Sequence, residues 1–121
     1  YNDIGLLGAE LDLPPSAILL DDYGMSKGYF MENFAAQELF HSSDRPVYAW
    51  NERTSEIEFI ITEGRNIIPA EVKSGTRTKA KSLQQYILKY KPEKAYILSG
   101  SKHFNTDRNV IRVPLYYAGK I

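Results

Sequence analysis

Residues 56–75 read EIEFIITEGRNIIPAEVKSG and set three ionisable groups inside otherwise apolar runs: Glu58 in the first, Glu71 and Lys73 in the second. Charges are seldom placed among Ile and Phe without a partner or a task, because taking them out of water is costly. The segment has the form of a β-hairpin in which 56–62 and 67–73 pair around Glu63-Gly64-Arg65-Asn66, and Gly at the first central position suits a type II′ turn. With Glu63 opposite Asn66, Glu58 falls opposite Glu71 and Glu56 opposite Lys73. Directly opposed Cβ atoms lie ~5 Å apart. Two carboxylates that close repel unless a cation or a proton sits between them. Oxygen ligands at short range suit Mg²⁺ or Mn²⁺. A divalent ion beside the Lys73 ammonium would activate water and stabilise the charge that develops on a phosphoryl group. The plainer use of the same residues is a cross-strand salt network, with Glu56 also neutralising Lys73.

The elements that must position these groups follow from periodicity. Side chains alternate along a strand, so one face of the hairpin carries Ile57, Phe59, Ile61, Ile68, Ala70 and Val72, which is wholly apolar. The other face carries Glu58, Ile60, Thr62, Ile67, Pro69, Glu71 and Lys73. Pro69 has no N–H to give to a ladder, so the sequence predicts a bulge or a gap near it. Upstream, residues 1–27 read as a lead of short helices broken by Gly8, Pro14 and Pro15. Gly28 to His41 reads as a helix, rich in Ala, Leu, Met, Glu and Gln and free of Pro. In it Glu32 shares a face with Ala36 and Leu39. PVYAW reads as a strand, followed by a polar turn at Asn51–Ser55.

Downstream, Lys79 to Lys91 carries the stripe Leu83, Tyr86, Ile87, Tyr90 of an amphipathic helix, with Lys81, Gln85 and Lys89 on another face and Pro92 ending it. KAYILSG and NVIRVPLYYA read as two further strands. The fold class expected is therefore α/β, a central mixed sheet made of an antiparallel meander plus a βαβ unit of right-handed crossover, flanked by helices.

Composition sets the bounds. The chain has 121 residues, 43% apolar and 25% charged, enough for one domain with a real core. Its formal charge is zero, but residues 1–45 hold eight acids and two bases, whereas residues 73–94 hold seven bases and one acid. The second segment can present a basic face on a neutral protein; its ordinary use is a solvated helix face, and the alternative is a phosphate-contacting one, with Arg77, Lys79 and Lys81 as the residues that would meet nucleic-acid phosphates. There is no Cys, so disulfide and thiolate-metal chemistry is excluded, and this composition fits a cytoplasmic location. No apolar run approaches the ~20 residues of a membrane span, and no membrane partner is expected. The GxxxxGK[ST] phosphate loop does not occur. The chain opens at Tyr1 directly into structured sequence, which reads as a piece of a longer protein.

Glu58 followed by IIPAEVKSG resembles the active-site signature of the PD-(D/E)XK nucleases, and Glu32 in GYFMENFAAQELF matches the acidic residue that often joins it from the preceding helix. YNDIGLL, KGYFMENFAAQEL, EIEF, IIPAEVKSG, KSLQQYILKYKPEKAYILS and VIRVPLYYA together resemble a nuclease-like domain of unknown function found at the C-terminus of bacterial and archaeal AAA-type ATPases. The resemblance implies a restriction-endonuclease-like fold over residues 28–121 and Mg²⁺- or Mn²⁺-dependent cleavage of DNA. It implies Glu58 and Glu71 as metal ligands, Glu32 as a supplementary ligand, and Lys73 as the residue that orients or deprotonates water. It also implies an upstream ATPase domain as partner. Gln84 or Gln85 would take the polar position of the following helix. The chain departs from the pattern at Glu58, where most relatives carry Asp, and at Ile57, where Pro is usual. The alternative is a module of the same fold that binds nucleic acid or protein without cleaving.

Overall fold

The computed structural model describes residues 3–42, 45–75 and 80–121. It is a mixed α/β fold whose six-stranded sheet has the order β1-β2-β3-β4-β6-β5. The strands are β1 (Val47–Glu52), β2 (Ser55–Glu63), β3 (Asn66–Lys73), β4 (Ala95–Ser99), β5 (Asn105–Asp107) and β6 (Val110–Pro114). β1, β2 and β3 form an antiparallel meander, and β3, β4 and β6 run parallel. The expected meander and βαβ unit are both present, with α4 (Lys81–Tyr90) between β3 and β4. The lead consists of α1 (Ile4–Glu10) and α2 (Pro15–Leu19), and α3 spans Lys27–Ser42. Among the described residues no helix is long and apolar enough to cross a membrane.

Local chemistry explains the element ends. Asp3 caps α1 by accepting the N–H groups of Gly5 at 2.6 Å and Leu6 at 3.2 Å. Pro15 opens α2, where its missing N–H costs nothing. Gly64 turns the β2–β3 hairpin at φ +61. Arg65 stays at negative φ, the combination a type II′ turn requires. The register runs as expected, from Glu63↔Asn66 through Phe59↔Ala70.

The sheet is covered on both faces. One core gathers Phe59, Ile61, Ile68, Ala70 and Val72 with Leu98 and Val113, under Ala35 and Leu39 of α3 and Ala118 of the C-terminal 3-10 helix, Leu115–Lys120. The second gathers Ile57, Ile60, Ala95 and Ile97 under Ala80, Leu83 and Tyr86. The α4 stripe packs in part as its spacing predicts: Leu83 and Tyr86 are buried and Ile87 half-buried, with Lys81, Gln85 and Lys89 exposed, but Tyr90, at the last turn, is 47% exposed and only stacks on Tyr86 and Trp50.

Three expectations are corrected. Ile57 was expected beside Phe59, yet it packs with Ile60 on the α4 side. The cause is a β-bulge. β1 pairs as Tyr48↔Ile60 and then as Trp50↔Ile57, so Ala49 alone opposes both Glu58 and Phe59. The extra residue reverses the alternation of everything in β2 before Phe59. Second, the gap expected near Pro69 does not fall in the β2–β3 ladder, where Pro69 pairs with Ile60, but on its other side, towards β4. A proline cannot donate, so this pair is of the non-hydrogen-bonded kind and the Pro69 nitrogen faces β4, whose ladder with β3 starts only at Ala70. Third, NVIRVPLYYA is not one strand: β6 stops at Pro114 and a 3-10 helix follows, while β5, unforeseen, pairs along the outer edge of β6.

Candidate functional site

β2 and β3 hydrogen-bond regularly only as far as Phe59↔Ala70, and beyond that point the bulge breaks the ladder. Ladder donors alternate in direction. Since the Ile60↔Pro69 pair is non-hydrogen-bonded, the N–H of Val72, three residues on, points back towards β2. The backbone acceptor it would meet in a regular ladder has been displaced by the bulge. Glu58 replaces it: its Oε2 accepts from the Val72 N–H at 3.3 Å. Thus the same bulge that turns Glu58 towards α3 also draws its carboxylate into the gap between β2 and β3. The expected pairing of Glu56 with Lys73 does not form, for Glu56 pairs with Asn51 of β1 and the β2–β3 ladder has ended.

Glu71 lies on the third strand, 3% exposed. Its Oε1 is ion-paired with Lys73, two residues along the same face, whose side chain remains 26% exposed. Its Oε2 is buried and has no hydrogen-bond partner among the described residues. Most buried polar atoms are satisfied, so a bare carboxylate oxygen marks a position that invites a cation or a donor. Glu58, expected directly opposite Glu71 and on its face, does not pair with it: the ladder ends at Phe59↔Ala70 and the bulge turns Glu58 to the α3 side, while Glu71 pairs with Ile97 of the α4-side core. The Glu71 charge still reaches Glu58. Burial raises its pKa above the ordinary carboxylate value and the Glu71 charge adds to the rise, against the opposing pull of backbone N–H groups and Lys73.

Glu32, on α3 one turn before Ala35 and Ala36, is half-buried and lines an open cleft of about 280 Å³ with Asn33, Ala36, Glu56, Glu58 and Phe59. Burial raises its pKa, Glu56 adds to the rise, and Lys73 opposes it. The structure therefore brings Glu32 to Glu58 and Glu56. The place of Glu56 beside Glu32, rather than beside Lys73, depends on the bulge, for which the sequence carries no signal. A wider cleft of about 360 Å³ continues from Glu58 along Gln37, His41 and Tyr48. Of the residues expected on the basic face, Lys81 is exposed at the start of α4, and Arg77 and Lys79 lie outside the described residues. Gln85 is held by Ser55 Oγ at the start of β2, and Gln84 is exposed.

Among the described residues no group of three or more His, Cys, Asp or Glu side chains converges as a metal cage. The donor set that fits a divalent ion is smaller: the free Oε2 of Glu71, and Glu58. Mg²⁺ commonly keeps several waters and takes only one or two carboxylates from the protein. The residues present fit that pattern.

Comparison with known proteins adds one finding. Residues 27–117 match the model of a family described as Domain of unknown function (DUF4143). No curated protein and no solved structure matches the chain.

Proposed function

We propose that this chain, which belongs to the DUF4143 family over residues 27–117, is a restriction-endonuclease-like domain that binds Mg²⁺ or Mn²⁺ through Glu58 and Glu71 and hydrolyses DNA phosphodiesters. One observation carries the reading: a buried Glu71 oxygen without a partner among the described residues, near a second carboxylate, Glu58, of raised pKa and beside an ammonium. Structural carboxylates are ordinarily satisfied, whereas this one is held in a low-dielectric site with an oxygen that no described residue engages. The meander followed by β3, α4 and β4 supports the fold reading. A bound divalent ion would supply Lewis acidity towards a phosphoryl oxygen and a lowered pKa for water. Glu58 and Glu71 supply oxygen ligands. Glu32, across the cleft, serves as a supplementary ligand through water. Lys73 holds Glu71 in place before substrate arrives, and its partly exposed ammonium offsets charge on the phosphate when it does. Lys81, with Arg77 and Lys79, contacts the DNA backbone. On this reading the partners are DNA and an upstream ATPase domain of the AAA type, in a cytoplasmic chain.

The second reading is a nuclease-fold module that binds without cutting. It draws on the engagement of Glu58 by the Val72 N–H and of Glu71 by Lys73. It draws too on Glu in place of the shorter Asp at residue 58. Calorimetric titration with Mn²⁺ and Mg²⁺, followed by plasmid nicking, separates the two. Wild type should bind, and a hundredfold excess of metal over Kd should stabilise the fold by ~2.7 kcal/mol. Glu71→Ala should abolish that gain, and Glu58→Asp should retain or raise Mn²⁺-dependent nicking. If neither wild type nor Glu58→Asp binds metal or nicks DNA, the module does not cleave.

A further inference from the structure

The C-terminal ends of the parallel strands form one row across the sheet: Lys73 of β3 pairs with Ser99 of β4, and Ser99 pairs with Pro114 of β6. Two strand spacings, ~10 Å, separate the first of these from the last. In open α/β sheets this edge is where ligands bind. Two segments leave the row on the side of β6. The loop after β4 is tied by its own serines: the Ser101 N–H donates to Ser99 Oγ at 3.3 Å and the His103 N–H to Ser101 Oγ at 3.3 Å. It delivers Phe104 immediately before β5. The 3-10 helix after Pro114 delivers Tyr116 and Tyr117 and is anchored by the fully buried Ala118.

The rings of Phe104 and Tyr117 meet edge to face, with centroids 5.0 Å apart. Burial does not account for the pair. Phe104 is 56% exposed, Tyr117 38% and the neighbouring Tyr116 64%. Lys102, His103 and Lys120 flank them, all exposed. Two exposed aromatic rings in mutual contact, with lysines next to them in the chain, thus lie at the sheet edge that also ends in Lys73.

We infer that the Phe104–Tyr117 pair is a base-stacking platform for single-stranded DNA, with Lys102 and Lys120 on the adjoining phosphates. The inference deepens the nuclease reading and rests on it for the identity of the polymer. An aromatic ring stacks on the face of a base, and paired bases offer only their edges, so the platform takes an unpaired strand. The chain has no net charge, and two lysines supply little long-range attraction. Stacking therefore dominates, and the logarithm of affinity should fall with that of salt at a slope of only about −1.4 for two phosphate contacts.

Fluorescence anisotropy in EDTA tests this, using a labelled oligothymidylate and a duplex of equal length. Wild type should bind the unpaired strand more tightly than the duplex. Phe104→Ala and Tyr117→Ala should each weaken that binding roughly five- to 150-fold, the range for loss of one stacked base, whereas Phe104→Trp should retain it. Equal affinity for both DNA forms overturns the inference without recourse to any variant. So do alanine variants that bind as wild type does. The two readings fail separately. If the platform is right and the metal site wrong, Glu71→Ala still binds the unpaired strand and no protein nicks DNA. If the metal site is right and the platform wrong, Phe104→Ala loses neither Mn²⁺ binding nor nicking.

Discussion

Lys73→Met probes the centre of the site most directly. The Glu71 side chain is 4% exposed and, among the described residues, its ionic partner is the Lys73 ammonium. At an effective dielectric constant of about 20, unit charges at 4 Å attract by ~4 kcal/mol. Removing one partner of a buried pair costs ~3–5 kcal/mol, because the other charge is left uncompensated. Water reaches the Lys73 end but not the Glu71 end, so the loss should fall near the lower bound, ~3 kcal/mol. That is a large share of the roughly 5–15 kcal/mol that holds a domain together. Urea unfolding followed by Trp50, the only tryptophan, reads the change as a lowered midpoint at unchanged slope. Glu71→Leu combined with Lys73→Met removes both charges and should recover most of the loss, since apolar replacement of a buried pair is commonly neutral or stabilising. Mn²⁺ should restore stability to Lys73→Met more than it stabilises wild type, because it takes over the task of the ammonium. A single variant within ~0.5 kcal/mol of wild type, or a double variant as unstable as the single, would refute the assignment of Lys73 as the counter-charge that Glu71 needs.

Two further outcomes are expected. Burial and Glu71 raise the folded-state pKa of Glu58, so its proton is held more tightly folded than unfolded. The resulting stabilisation is complete below the ordinary value of 4.5 and is lost as pH rises through the raised value. Glu58→Gln should therefore unfold at higher urea than wild type at pH 7, with the difference vanishing as pH falls below that window; a constant difference across pH would count against the buried, coupled carboxyl. Lys91 ends α4 in the left-handed region at φ 48, ψ 55, where a side chain costs ~1 kcal/mol and glycine does not. Lys91→Gly should raise Tm by about 4 °C in a thermal melt, and a lowered Tm would show that the lysine side chain outweighs the strain.

Much of this arrangement was legible in the residues. Gly64 between two alternating runs fixes the register of β2 on β3, because glycine takes readily the positive φ that a two-residue hairpin turn needs at its first central position. The α4 stripe declares its buried face through Leu83 and Tyr86. The bulge was not legible. It arises because β1 supplies one residue, Ala49, where β2 supplies two, and neither strand shows this alone. As a result Glu58, Glu56 and Ile57 were assigned to the wrong faces, although the carboxylate of Glu58 still reaches β3 through the Val72 N–H. β5 is not legible, because Asn105, Thr106 and Asp107 are all exposed and carry no apolar alternation. Glu32 was legible as inward-leaning, but its neighbour Glu56 was not, since that contact needs both the helix packing and the bulge.

The same bulge bears on how the sheet meets other sheets. Its two outermost strands are β1 and β5, and each leaves a row of backbone groups without a ladder partner in the sheet. β5, at three residues, is too short to template the addition of a foreign strand. β1 is twice as long and exposes Tyr48 and Ala49, which makes it the side more open to self-association. There the two-against-one pairing sharpens the local twist, while Pro46 stands before the strand and Glu52 ends it. A flat row becomes a coiled one that a second copy cannot follow in register. The distortion that seats Glu58 thus also guards the chain against edge-to-edge aggregation.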